Sequence, residues 1–116
     1  MKKKKIFSLT TSRSDYGLLR QLYLQLKKSN YFNFIILVSG MHLNKNYGFS
    51  IREVQKDNFK LKIINQKNFK SDENSILKSI SNDITNYSKL FLKERPDFFI
   101  VLGDRFEILG AVISCY

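Results

Sequence analysis

The chain has 116 residues, an apolar fraction of 43% and a formal net charge of +10 at pH 7. That length fits one domain or part of a larger one, and the apolar fraction is sufficient for a hydrophobic core. No run of residues approaches the roughly 18 apolar positions needed to cross a bilayer, so no membrane-spanning segment is expected.

The predicted elements alternate between strands and helices. In chain order, the strands are predicted at 6–9, 34–38, 61–64 and 98–102, and the helices at 17–28, 47–55, 75–94 and from 106 onward. Ser14 or Asp15 is expected to cap the first helix. The third strand is expected near a sheet edge because Lys60 and Lys62 flank and interrupt it. Such alternation predicts right-handed crossovers and a parallel α/β sheet with flanking helices.

The most informative stretch is the apolar run from Phe98 to Leu102. Five consecutive apolar residues are too few for a helix and predict a strand buried inside a parallel sheet. Gly103 then permits a sharp turn, and Asp104 stands at the start of the next helix. In an open α/β sheet, ligands bind at the carboxyl ends of the strands. Asp104 and Arg105 are therefore expected where a ligand binds.

The last predicted helix is apolar on most of its surface and is followed by no capping residue and no strand. A complete domain seldom ends on its most buried element. We therefore expect the 116 residues to be an N-terminal fragment, with 1–116 forming a partial domain.

Three loops follow the carboxyl ends of strands one, two and four, and their polar residues are expected to share a cleft. The candidates are Arg13, His42, Asp104 and Arg105. Each has a simpler alternative: Asp104 as a helix cap, His42 as a surface or hydrogen-bonded residue, and Arg13 as a solvated loop residue. Beside free amides at a helix start, however, Arg13 is suited to bind a phosphate.

Charge and cysteine content indicate the partners and the compartment. The lysines are scattered, and no element combines a basic face with base-reading aromatic residues, so nucleic-acid binding is not expected. A mildly positive cleft for a phosphorylated ligand is favoured instead. The run after Lys2–Lys5 is too short for a signal peptide. The single cysteine, Cys115, suits a reducing cytoplasm and is expected to be a small core residue.

No metal or cofactor is predicted. The chain has one histidine and one cysteine, without a cluster of potential ligands at metal-binding spacing. Neither the P-loop pattern nor the GxGxxG pattern is present, so ATP and NAD have no sequence support.

Three motifs in series resemble the hydrolysing UDP-N-acetylglucosamine 2-epimerases, which open sialic acid and legionaminic acid synthesis. They are the segment from Thr11 to Gly17, the segment from Gly40 to Leu43 followed by Tyr47 and Gly48, and the segment from Leu102 to Glu107. The resemblance covers nearly the whole chain in the same order and spacing.

The resemblance implies a two-domain fold of the glycosyltransferase-B type, with Rossmann-like halves and the nucleotide-sugar in the cleft between them. It implies that UDP is eliminated to leave a glycal, which is hydrated to the 2-epimeric free sugar. Asp104 matches an acidic residue of the catalytic set, and His42 matches a histidine facing the same cleft. Arg13 and Ser14 match first-loop residues near the nucleotide, and Arg105 is grouped with them as substrate-binding.

The resemblance also implies residues that these 116 positions do not contain, including further catalytic carboxylates and the C-terminal nucleotide-binding half. The chain alone is therefore expected to be inactive, and the full-length protein is expected to be a homo-oligomer. Two alternatives stay open. One is a glycosyltransferase or non-hydrolysing epimerase of the same architecture. The other is a non-catalytic basic binding module, whose binding to DNA or RNA would be salt-sensitive.

Overall fold

The computed structural model describes residues 3–39, 51–64, 73–103 and 106–115. Within these ranges strands and helices alternate as predicted: β1 Lys4–Thr10, α1 Arg13–Lys28, β2 Phe32–Val38, α2 Ile51–Lys56, β3 Leu61–Ile63, α3 Glu73–Glu94, β4 Phe98–Val101 and α4 Phe106–Ile113. The first four residues of the predicted helix at 47–55 lie outside the described residues.

The four strands form one parallel sheet in the order β3-β2-β1-β4. In the longest pairing, β1 and β2 run in register from Lys4 opposite Phe32 to Thr10 opposite Val38. The predicted parallel α/β, Rossmann-like sheet is therefore confirmed. The predicted edge position of β3 is also confirmed, since it pairs with β2 alone in the described part of the chain.

The predicted position of β4 inside the sheet is wrong for the residues that the structure describes. β4 lies at the edge opposite β3, and Phe98 is 57% exposed. The interior strands are β1 and β2, and Phe7 and Leu9 of β1 are fully or almost fully buried. A continuous apolar run indicates that both faces of a strand favour burial, but it does not indicate whether another strand lies on each side.

One face of the sheet packs against α1 and α2 to form the main core. Tyr23 of α1 lies at its centre, with its ring centroid 5.2 Å from that of Phe34 and 6.0 Å from that of Phe59. The buried cluster comprises Ile6, Tyr16, Leu19, Tyr23, Phe34, Ile36, Val38, Ile51, Val54 and Phe59. These residues fix α1, and with it the start of α1, against the sheet.

The chain divides into two compact units, and the sheet with α1 and α2 belongs to the first, formed by 1–65 and 96–102. The second unit, formed by 66–95 and 103–116, contains α3 and α4. In this unit Gly110 of α4 packs so closely on α3 that an added Cβ would lie 2.5 Å from Cβ of Asp83. Cys115 is exposed, so its predicted core position is wrong. It follows the end of α4, beyond the buried helix face.

Length and apolar character decide whether a helix can cross a bilayer. No helix in the described ranges has both to the degree that a membrane span needs.

Candidate functional site at the carboxyl edge of the sheet

The carboxyl ends of three strands lie at one edge of the sheet. Thr10 is in register with Val38, and Leu9 is in register with Val101, so β1, β2 and β4 all end at this edge. The three predicted loops leave the sheet from these ends. His42, Asp104 and Arg105 lie outside the described residues, so their positions stay predictions. Arg13 and Ser14 are described.

The first of these loops is organised around the Asp15 carboxylate. It accepts hydrogen bonds from the Thr11 amide at 3.0 Å, the Thr11 hydroxyl at 2.8 Å and the Ser12 amide at 3.2 Å. The Thr10 hydroxyl donates to the same carboxylate. Because Thr10 and Thr11 are buried, these bonds hold the loop in one conformation at the end of β1.

The helix start differs from the prediction in position and in capping residue. α1 begins at Arg13 rather than Gly17, and Ser12 rather than Ser14 or Asp15 is its N-cap. Ser12 Oγ accepts from the Asp15 amide at 3.4 Å, while the Asp15 carboxylate accepts from the Ser12 amide, which is a capping box. The Ser-x-x-Asp spacing of Ser12 and Asp15 was the sequence signal for this start.

The capping box changes how this loop can bind an anion. The amides of Thr11 and Ser12 already donate to the Asp15 carboxylate, so these two amides are not free for a phosphate. The Arg13 side chain stands in the first turn of α1 and is 64% exposed, and Ser14 beside it is also exposed. The cationic contact that this loop can offer an anion is therefore the Arg13 guanidinium.

Arg13 is paired with a residue from the element that follows the second loop. Its Nη2 lies 3.2 Å from Oε1 of Glu53, in the first turn of α2, and the Glu53 side chain is 47% exposed. The ion pair links the start of α1 to the start of the described part of α2.

A second link joins α1 to the end of α2. Asp57 accepts from Arg20 through two parallel bonds, Nε to Oδ2 and Nη2 to Oδ1, each 2.9 Å, and also from the Tyr16 hydroxyl. Lys27 Nζ donates to the Asp57 carbonyl oxygen at 2.9 Å. Sequence reasoning missed this cluster, although the four-residue spacing of Tyr16 and Arg20 places both on one face of α1.

The cluster shifts the ionisation of its members. The hydrogen bonds from Arg20 hold the pKa of the Asp57 carboxyl below its ordinary value. Burial raises the pKa of the Tyr16 phenol, and the neighbouring Asp57 carboxylate raises it further. Near neutral pH, Asp57 is therefore an anion and Tyr16 a neutral donor, which is the arrangement that their hydrogen bond requires.

A metal site needs several ligating side chains placed together. Within the described residues, no group of three or more His, Cys, Asp or Glu side chains is placed to hold a metal ion.

The parallel sheet and the polar segments at its carboxyl edge define an α/β protein of the Rossmann-like class, and comparisons with known proteins specify its family. The family model described as UDP-N-acetylglucosamine 2-epimerase matches residues 24–116. This chain belongs to that family, as the three sequence motifs indicated.

Three characterised relatives resemble nearly the whole chain. It is 35% identical over 112 residues to the UDP-N,N'-diacetylbacillosamine 2-epimerase (hydrolyzing) of Legionella pneumophila, and this alignment covers 96% of the chain and 30% of the relative. It is 32% identical over 112 residues to the polysialic acid biosynthesis protein P7 of Escherichia coli, which covers 96% of the chain and 29% of the relative. It is 31% identical over 116 residues to the GDP/UDP-N,N'-diacetylbacillosamine 2-epimerase (hydrolyzing) of Campylobacter jejuni, which covers 99% and 30%. The chain thus spans about 30% of the length of these relatives.

Solved structures confirm the fold. A crystal structure of UDP-N-acetylglucosamine 2-epimerase matches with a TM-score of 0.76 and 18% identity, over 98% of this chain and 30% of the other. The UDP-GlcNAc 2-epimerase from Neisseria meningitidis bound to UDP-GlcNAc matches with a TM-score of 0.75 and 16% identity, over 96% of this chain and 29% of the other.

Proposed function

We propose that the chain is the N-terminal part of a hydrolysing UDP-sugar 2-epimerase. The whole protein eliminates UDP from UDP-N-acetylglucosamine, or from a related UDP-diacetamido sugar, and hydrates the glycal to a sugar of the N-acetylmannosamine type. The observation that carries the proposal is the 35% identity, across 96% of the chain, to a relative named as a hydrolysing UDP-sugar 2-epimerase.

The proposed roles follow from what the reaction needs. Removing the proton on C-2 of the sugar requires a positioned base, and expelling UDP requires cationic stabilisation of the diphosphate. We assign Asp104 and His42 to the proton transfers and Arg13, Ser14 and Arg105 to substrate binding. The exposed guanidinium of Arg13 in the first turn of α1, after the carboxyl end of β1, supports its assignment. No metal and no cofactor take part in this scheme.

The proposal assigns activity to the whole protein and not to these 116 residues alone. Residues 1–116 form a partial N-terminal domain, and the C-terminal nucleotide-binding domain lies outside them. The chain's coverage of about 30% of its relatives supports this division. We therefore expect no UDP release from the isolated 116-residue chain.

The proposal extends to pathway, compartment and assembly. A role in sialic or legionaminic acid synthesis is supported by the 32% identity to the Escherichia coli polysialic acid biosynthesis protein P7. A cytoplasmic location agrees with the single cysteine. A homo-oligomer is supported by apolar side chains exposed one turn apart on two helices, Leu18 and Leu22 on α1 and Leu109 and Ile113 on α4. We propose no nucleic-acid partner, because the lysines are scattered along the sequence.

Product analysis tests the proposal. The full-length protein is incubated separately with UDP-N-acetylglucosamine and with UDP-N,N'-diacetylbacillosamine, and the products are identified by mass spectrometry. Free UDP and a free 2-epimeric sugar are expected from at least one substrate, and Asp104→Asn is expected to abolish both. A UDP-linked epimer would indicate the non-hydrolysing alternative, and transfer to an acceptor would indicate a glycosyltransferase. No reaction, together with salt-sensitive nucleic-acid binding, would indicate the binding module.

A further inference from the structure

Two ion pairs join α1 to α2 and its C-terminal turn, and they differ in how firmly each arginine is held. We propose that Glu53 is an internal competitor for Arg13: it holds the guanidinium while the site is empty and releases it to the diphosphate of a nucleotide ligand. This inference rests on the proposed function, which places Arg13 at the UDP diphosphate.

The Arg20 pair is built to stay closed. Its two parallel hydrogen bonds to Asp57 are both 2.9 Å, and the Asp57 side chain is only 16% exposed. The same carboxylate also accepts from the buried Tyr16. Opening this pair would leave a partly buried carboxylate with fewer donors, which is unfavourable.

The Arg13 pair has the opposite character. Its contact joins Nη2 to Oε1 at 3.2 Å, and both side chains are about half exposed or more. Exposed pairs of this kind contribute little to stability because water and salt screen them. A guanidinium also favours two parallel bonds to a planar or tetrahedral oxyanion. A diphosphate can provide several such oxygens at once, so the exchange is favourable.

Charge gives the sign of the effect. With Glu53 beside it, the Arg13 guanidinium attracts an incoming diphosphate less strongly, because the carboxylate offsets its charge and must first be displaced. Replacing Glu53 with glutamine removes the competing charge while keeping the side-chain shape. The expected result is UDP binding that is tighter by about two- to fivefold, the range that an exposed ion pair allows.

The test is a double-mutant cycle on the affinity for UDP, measured by calorimetry with the protein as its gene encodes it. Glu53→Gln is expected to tighten binding, Arg13→Gln to weaken it, and Glu53→Gln is expected to have no effect in the Arg13→Gln background. Asp97→Asn is the matched control. It removes the same charge at the amino-terminal edge of the sheet, where Asp97 accepts from the Lys5 amide at 2.8 Å. That edge is roughly 15–20 Å away along the strands, so UDP affinity should not change.

The outcomes separate this inference from the proposed function. If the wild-type protein releases UDP from a UDP-sugar but Glu53→Gln leaves UDP affinity unchanged or weakens it, the inference is wrong and the proposed function stands. If Glu53→Gln tightens binding equally with and without Arg13, the effect is general charge removal and the inference is also wrong. If the wild-type protein neither binds UDP nor acts on UDP-sugars, the proposed function and this inference both fail.

Discussion

The Tyr23 hydroxyl lies 2.7 Å from Oγ of Ser8, inside the core between α1 and the centre of the sheet. Ser8 donates its own hydrogen to the Ile100 carbonyl oxygen at 2.8 Å, so its oxygen accepts from Tyr23. A chain of two hydrogen bonds thus connects α1 to β1 and β1 to β4. These two hydrogen bonds help to hold β1 and β4 in register. The end of β1 leads into the first loop, and the end of β4 precedes Gly103.

Ser8 takes part in both hydrogen bonds and the Tyr23 hydroxyl in one, so removing the Ser8 hydroxyl should lower the free energy of unfolding more than removing the Tyr23 hydroxyl. Ser8→Ala leaves the fully buried Tyr23 hydroxyl without this acceptor, and it is expected to lower the free energy of unfolding by about 1–3 kcal/mol. Tyr23→Phe leaves the Ser8–Ile100 bond intact and is expected to cost about 1 kcal/mol. Urea unfolding of both variants and of the double variant measures this. Because the partner is removed too, the double variant should lose less than the sum of the two single losses. Strict additivity would contradict the account.

The capping box predicts separable contributions of charge and hydrogen bonding at Asp15. Asp15→Ala removes the acceptor for the Thr11 and Ser12 amides and is expected to lower the free energy of unfolding by about 1–2 kcal/mol. Asp15→Asn keeps an acceptor oxygen but loses the favourable charge at the helix start, so its loss should be smaller. Thermal unfolding followed by circular dichroism measures both, and equal losses would show that the hydrogen bonds contribute nothing beyond the charge.

Two glycines in helices should respond in opposite ways to alanine. In α4, Gly110→Ala places a Cβ against Asp83 of α3 and is expected to destabilise the helix pair by about 1–3 kcal/mol. In α1, an added Cβ at Gly17 meets nothing within 4 Å, so Gly17→Ala is expected to stabilise by about 0.5–1 kcal/mol through helix propensity. Chemical denaturation of the two variants provides the comparison. A neutral Gly110→Ala would contradict the close packing of α4 on α3.

Acid should weaken the link between α1 and Asp57. Because Arg20 lowers the pKa of Asp57 in the folded protein, the carboxylate contributes stability above its unfolded pKa. That contribution is lost as the pH falls through the lowered folded value. The difference in unfolding free energy between the wild-type protein and Asp57→Asn should therefore shrink from pH 6 toward pH 3. A difference that stays constant over this range would show that ionised Asp57 is not the stabilising species.

Much of the fold was predictable because the hydrophobic pattern alone separates strands from helices. The amphipathic repeat of α3 and the continuous apolar runs of β1 and β2 predicted these elements to within about two residues. The predicted start of α1 at Gly17 lies four residues late because the polar segment before it predicts a loop, although Ser12 and Asp15 carry the capping-box spacing. The edge position of β4 depends on which strands pair, and no local pattern contains that information.

The candidate site was predictable to a smaller extent. Parallel topology placed the ends of β1, β2 and β4 at one edge, as the alternation of elements implied. The partners of Arg13 and Arg20 are Glu53 and Asp57, which are 40 and 37 residues away in sequence. Such pairings arise from packing of α1 beside α2, and single-residue chemistry does not reveal them.

The most direct test of the proposed reaction is to run it in D₂O and locate deuterium in the released sugar. Elimination removes the hydrogen on C-2, and hydration of the glycal returns a hydrogen to C-2 from solvent. The account therefore predicts free UDP and a 2-epimeric sugar that carries deuterium at C-2, seen by NMR and by a mass increase of one unit. A released sugar that keeps protium at C-2 would contradict this prediction, because UDP would then have left without cleavage of the covalent C–H bond at C-2.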